Sequence, residues 1–382
     1  MEKAGRELSI YIHIPFCVQK CLYCDFLSAP ASKELREQYV KRVSREIRET
    51  AESYVNYTAK SVFFGGGTPS LLEGDQIEEI MEAVRCFSLE KDCEISLEAN
   101  PGTITPEKLQ KYKKAGINRL SIGLQSLIDE ELNALGRIHD SRDFYDTYAC
   151  AVKTGFNNIN IDLMTAIPLQ TRESCMATLR GVLKLDPAPA HISAYSLIVE
   201  EGTPFFENTP LLPDEETDRE LYKITNDILS KSGYQRYEIS NYAKPGFACR
   251  HNLVYWQRGN YLGFGIGAAS LMENVRFSNG RDLKEYLEKG AVRENMQRLS
   301  VKEQMEEFMF LGLRMTEGVS AAKFQSSFGQ SLYQVYPGIV EKYIRQGLLK
   351  TEACLNGRDE RISLTERGID VSNVVMADFL FM

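Results

Sequence analysis

The chain has no apolar run long enough to cross a bilayer. Its longest, Leu262 to Met272, is 11 residues and glycine-rich, against the roughly 20 that a spanning helix needs. The opening residues, MEKAGRELSI, hold no apolar core of a secretory leader, so the expected location is cytoplasmic. Peripheral contact with a membrane stays open. A basic surplus is also missing: 45 Lys and Arg against 53 Asp and Glu leave a net charge of −8. A protein that binds a phosphate backbone carries positive charge to meet it, so nucleic acid is not an expected partner. Low-complexity segments and internal repeats are absent. A composition of 43% hydrophobic and 26% charged residues belongs to a folded chain rather than a disordered one.

The cysteines are not spread as a disulfide framework would spread them. Of nine, Cys17, Cys21 and Cys24 fall within eight residues. Cys86, Cys93, Cys150, Cys175, Cys249 and Cys354 are scattered, and apart from Cys249 they read as small buried hydrophobes. In a reducing compartment a tight cysteine group points to metal or redox work.

What is present is strand–helix alternation. Apolar, β-branched runs at Ser9–Phe16, Ser61–Phe64, Glu94–Leu97, Arg119–Leu124, Ile159–Met164 and His191–Leu197 read as buried strands. Segments of helical spacing cover 33–53, 73–86, 105–115, 141–154 and 171–185, with another at 215–232. Thr105-Pro106 has the form of an N-cap followed by proline at the first helical position. Such alternation predicts parallel strands with right-handed crossovers. Six units are too few for a closed eight-stranded barrel, and the expected class is α/β, a partial (β/α)6 TIM-type barrel. Special residues follow successive strands: the cysteine loop, Gly65-Gly66-Gly67, Glu98-Ala99-Asn100-Pro101 and Gln125. Asp162 and Tyr195 lie within the last two strands. Polar groups at C-terminal strand ends describe one site on the top face of a barrel.

The segment 233–300 is harder to read, and the first domain is expected to span 1–300. Residues 301–382 predict helices at 302–315, 320–328, 332–346 and 366–380. Strands at 348–355 and 361–365 flank a turn at 356–360. That is a winged-helix-like α+β domain, and its net charge of −2 favours an interaction or lid module over DNA binding.

Cys17, Cys21 and Cys24 form a CxxxCxxC array. Three thiolates leave one corner of a four-iron cluster open to a chelating ligand. Zinc, with His13 as a fourth ligand, is the alternative on these residues alone. Gly65-Gly66-Gly67-Thr68-Pro69 directly follows a strand, where glycines let backbone amides approach a ligand. Glu98, Gln125, Arg137 and Asp162 are expected near the same rim.

These segments (YIHIPFC at 11–17 through Cys24, GGGTPS at 65–70, LEANP at 97–101, RLSIGLQS at 119–126, NIDLMTAIP at 160–168) resemble the radical S-adenosylmethionine superfamily. More narrowly, they resemble the oxygen-independent coproporphyrinogen III oxidase-like family. The resemblance implies a [4Fe–4S] cluster on Cys17, Cys21 and Cys24. It also implies S-adenosylmethionine lined by Tyr11, Tyr23, Gly65, Gly66, Gly67 and Thr68, with Glu98 touching it. Gln125, Arg137 and Asp162 match positions that hold a second S-adenosylmethionine in the oxidase. Two departures from the oxidase point to the haem-chaperone branch, HemW. Phe26 stands where the oxidase has a fourth cysteine, and only 16 residues precede Cys17. His251-Asn252-Leu253-Val254-Tyr255-Trp256 resembles that branch's HNxxYW segment, which implies haem as a ligand of His251 and a haem-accepting apoprotein as partner. On residue types alone His251 reads first as a buried, hydrogen-bonded histidine beside core aromatics, and only the resemblance brings haem level with that reading; Cys249 is an alternative ligand. No CxxCH is present, so covalent haem attachment is not signalled.

Overall fold

The structure, a computed structural model, describes residues 6–353 and 359–381. Six parallel strands carry its organisation: β1 (Arg6–Ile14), β2 (Tyr57–Gly66), β3 (Ser88–Ala99), β4 (Arg119–Gln125), β5 (Asn158–Thr165) and β6 (His191–Ser196). They lie side by side in chain order. Each is followed by a helix, and the caps are those the residues call for. Ser32 accepts from the Leu35 amide at the start of Lys33–Ala51, and Thr105 from the Lys108 amide ahead of Pro106–Ala115.

Because strand side chains alternate, each strand has two chemically distinct faces. Ile10 and Ile12, Val62 and Phe64, and Leu120 and Ile122 join the main hydrophobic core. The residues between them (Tyr11, Phe63, Ser121) line an interior space together with Glu98, Asp162 and Ser193. Parallel register sets Glu98 beside Ser121, Gly123 beside Asp162, and Asp162 beside Ser193. Four strands thus turn polar groups toward one lumen, unlike a barrel filled with aliphatic layers.

The sheet is mixed and does not close. The segment 233–300 is what occupies its two edges. On the β6 side come β7 (Gln235–Arg236) and β8 (Asn241–Ala243), with β8 antiparallel to β6. On the β1 side β9 (Tyr261–Phe264) runs parallel to β1. The antiparallel strands β10 (Ala269–Met272), β11 (Val275–Asn279) and β12 (Arg293–Arg298) extend it to twelve strands. Between β8 and β9 the chain must pass from one edge to the other. It does so through the helix Arg250–Trp256, which packs beside β2 and β3. Its first amides meet Glu94 of β3, and His251 meets Ser61 of β2.

The C-terminal residues pack around a second core that includes Met309, Phe324, Val340, Ile362 and Phe379. Strands β13 (Val319–Ser320), β14 (Leu349–Ala353) and β15 (Glu360–Leu364) form a small antiparallel sheet in the order β13-β15-β14. The expected helix over 332–346 is instead two, Leu332–Val335 and Ile339–Arg345. Pro337 cannot donate to the preceding turn, and Gly338 is left-handed at φ 76°. The expected helix over 366–380 likewise divides, at Val371. Cys354 and most of the expected turn at 356–360 lie outside the described residues. Among those described, no helix is long and apolar enough to cross a membrane.

Candidate functional site

A cavity of about 440 Å³ opens at the C-terminal ends of β1 to β6. Its wall on the β1 side is the cysteine loop. Phe16 bridges to Ala29, and the Cys17 amide donates to the Ala29 carbonyl at 3.1 Å, so the loop's two ends are tied together. Cys17, Cys21 and Cys24 all face the cavity, with Tyr23 among them. Gly66, Gly67 and Thr68 form the next stretch of wall. The glycines are required by space. A Cβ on Gly67 would lie 2.6 Å from the Phe16 carbonyl oxygen and 3.0 Å from Cys17 Sγ. One on Gly66, itself at φ +111°, would strike the His13 ring at 2.5 Å. The glycine run therefore lets β2's exit press against the cysteine loop.

Donors reach two of the thiols. Thr68 Oγ1 is 3.5 Å from Cys17 Sγ, and Arg137 Nη1 is 3.4 Å from Cys21 Sγ. Arg137 is fixed by Nη2, which donates to Asn100 Oδ1 at 2.8 Å and to the Gly123 carbonyl at 2.9 Å. Among the described residues no three His, Cys, Asp or Glu side chains converge as ligands of a single metal ion. His13, the expected fourth zinc ligand, is committed elsewhere. Its Nδ1 is 3.1 Å from the Tyr11 hydroxyl and its Nε2 is 2.8 Å from the Leu27 carbonyl.

Across the cavity stand two carboxyls. Glu98 accepts from the Gly66 amide at 3.1 Å. Burial, and then the charge of Asp162, push its carboxyl up to about 8. Asp162 is also raised by burial, against the hydrogen bonds it receives from Asn160 (2.8 Å) and Ser121 (3.0 Å). Gln125 ends β4 in the left-handed region at φ 67°, an uncommon conformation for a residue with a Cβ. Its Oε1 is buried and has no partner within the chain. A strained backbone holding an orphaned acceptor over a cavity marks a place for a ligand's donor. Two lining side chains are apolar and exposed, Phe26 at 58% and Ile198 at 68%, and they stand among the exposed Gln19, Lys20, Asp25 and Glu200.

Of the sequence-derived residues, this cavity gathers Cys17, Cys21, Cys24, Tyr23, Gly66, Gly67, Thr68, Glu98, Gln125, Arg137 and Asp162. Gly65 sits just below, where a Cβ would crowd Tyr11, Phe63 and Glu98. Tyr11 and His251 instead line a smaller, deeper space of about 170 Å³. The two spaces share Glu98, Ser121, Asp162 and Tyr195. His251 is 2% exposed and stacks on Phe63 at 5.0 Å. Ser61 Oγ donates to Ser9, so at 2.9 Å it accepts from His251 Nδ1–H. That leaves Nε2 to accept from the Tyr255 hydroxyl, also at 2.9 Å. Burial, and then the charge of Arg119, hold the imidazole neutral, down to about 3. His251 is thus placed as the buried, hydrogen-bonded histidine that its residue type allowed. Cys249 is fully buried against Glu94, and burial raises its thiol to about 12.

Two residues escaped the sequence reading. Arg119 is buried in the lumen with its Nε unpaired; the signal was a charged residue opening an otherwise apolar strand. Asn100 stood within LEANP, but nothing in the sequence shows what its amide touches.

Residues 11–181 match the radical SAM superfamily, and 299–371 match the HemN C-terminal domain. The chain is 36% identical to the protein named Heme chaperone HemW of Bacillus subtilis, over 97% of this chain and 99% of that one. It is 40% identical to the protein of that name from Escherichia coli, over 72% of each chain. Among solved structures, coproporphyrinogen III oxidase (HemN) from Escherichia coli superimposes with a TM-score of 0.82 over 98% of this chain and 90% of that one. At 22% identity that likeness speaks for the fold. Sequence similarity over nearly its whole length and the cysteine-lined cavity lead to one assignment: the chain belongs to the HemW family of radical S-adenosylmethionine proteins.

Proposed function

We propose that this chain is a cytoplasmic haem chaperone that binds a [4Fe–4S] cluster, S-adenosylmethionine and haem, and hands the haem to an acceptor apoprotein. The observation that carries the reading is Phe26. The aromatic side chain stands at the cavity mouth, two residues past Cys24, where the oxidase's fourth cysteine would be. It offers an apolar lip and no ligand. The residues around the cavity fit the two smaller cofactors. Three thiols leave a cluster corner free, the Gly66–Gly67 backbone approaches closely, and the Gln125 Oε1 atom awaits a donor. When bound, these cofactors supply one-electron chemistry.

In this reading Cys17, Cys21 and Cys24 hold the cluster. The backbone at 65–68, Tyr23 and Glu98 orient S-adenosylmethionine, and Gln125, Arg137 and Asp162 complete the polar wall. A protonated Glu98 can donate a hydrogen bond where an ionised one only accepts. Coordination of haem by His251 requires Tyr255 to release Nε2 and the helix Arg250–Trp256 to open the lumen.

The test is anaerobic reconstitution followed by parallel assays. Haem should bind saturably with a Soret change and move to an added apoprotein. A His251→Ala variant with full cluster content should bind haem more weakly. Turnover of coproporphyrinogen III at about 0.1 per second or faster would refute the chaperone reading in favour of the oxidase.

A further inference from the structure

We propose that Asn100 is a positioning residue that aims two hydrogen bonds at the thiols holding the cluster, and so sets the cluster's reduction potential. The proposal rests on Cys17 and Cys21 being cluster ligands.

The two ends of the Asn100 amide are not interchangeable here. Arg137 can only donate, and its Nη2 lies 2.8 Å from one end of the Asn100 amide, which must be Oδ1. The other end is therefore Nδ2, and it donates to Thr68 Oγ1 at 2.9 Å. A hydroxyl that receives a donor on its lone pair keeps its own proton free, and the remaining neighbour of Thr68 Oγ1 is Cys17 Sγ at 3.5 Å. On the other arm Arg137, held by Asn100 and by the Gly123 carbonyl, directs Nη1 at Cys21 Sγ, 3.4 Å away. One side chain thus fixes an O–H donor on one thiol and an N–H donor on another. Gly123 leaves it the room: a Cβ there would come within 2.9 Å of Asn100 Oδ1.

Hydrogen bonds to ligating sulfurs withdraw charge and favour the more negative, reduced cluster, so they raise its potential. Asn100 touches no sulfur itself, and its effect passes through Thr68 and Arg137. Its backbone amide donates to Ser70, and its carbonyl accepts from Thr103. Those bonds survive substitution of the side chain, so the loop can keep its shape.

The experiment is a redox titration of reconstituted protein, followed by electron paramagnetic resonance without S-adenosylmethionine, with iron and sulfide counted for each variant. Asn100→Ala should keep its cluster and lower the midpoint potential. Thr68→Val, which deletes one arm, should lower it less. The double variant should match Asn100→Ala, because both changes remove the same Thr68 bond. Gly123→Ala, which pushes on Asn100 from behind, should shift the potential in the same direction. A fully loaded Asn100→Ala protein with the wild-type potential overturns the proposal. So does a double variant whose shift is the sum of the two single shifts. Failure of the ligand assignment itself looks different: a Cys17→Ala or Cys21→Ala protein that retains a full cluster.

Discussion

Replacing Glu98 with Gln should remove a large part of the pH dependence of stability in the cluster-free chain. In the folded protein, burial and the neighbouring Asp162 charge raise this carboxyl from 4.5 to about 8. A folded-state value above the unfolded one means that the native state holds the proton more tightly. The group therefore costs nothing below about pH 4.5. Stability falls as pH rises through the window up to about 8, and the loss is complete above it. At full strength the displacement corresponds to roughly 5 kcal/mol. The side chain is half-buried and faces an open cavity, so solvent screening brings the expected figure to about 2 kcal/mol. Gln cannot ionise, yet its amide oxygen can still accept from Gly66. Urea unfolding of both proteins between about pH 5 and 9 measures the effect. The variant's advantage should grow by about 2 kcal/mol between pH 5 and 8 and then level off. A difference that stays constant across that range would refute the electrostatic account of Glu98.

Gly67→Ala should lower iron and sulfide content by about half or more while leaving the circular dichroism spectrum intact, because the new methyl would meet the Phe16 carbonyl and Cys17 Sγ rather than the core. At the interface with the C-terminal residues, the Arg314 guanidinium lies 4.5 Å over the ring of Trp256, the sole tryptophan, and 3.6 Å from the buried Glu238 carboxylate. Arg314→Gln should shift the tryptophan emission and destabilise the protein by about 3 kcal/mol, since it strands that carboxylate; unchanged emission and unfolding would show that the contact does not form in solution.

The sequence by itself determined what depends on local pattern and backbone sterics. The six strands, their crossover helices and the cap at Thr105 follow from periodicity and from which side chains can bond their own backbone. The cysteine array and the glycine run were legible as well, because CxxxCxxC and GGG place their groups within a few residues. Tertiary structure alone decided which distant groups meet. His13 looked like a metal ligand by its closeness in sequence to Cys17. Strand alternation points it instead under Gly66, into bonds with Tyr11 and Leu27. His251 carries the same residue chemistry whether it faces solvent or lumen. It is buried because the chain must cross from one edge of an open sheet to the other, and the helix that makes the crossing sets the imidazole against Phe63 and Tyr11. The link from Thr68 through Asn100 to Arg137 joins three loops that lie far apart in the chain. It exists because parallel register stacks the ends of successive strands on one rim, and no local pattern encodes that register.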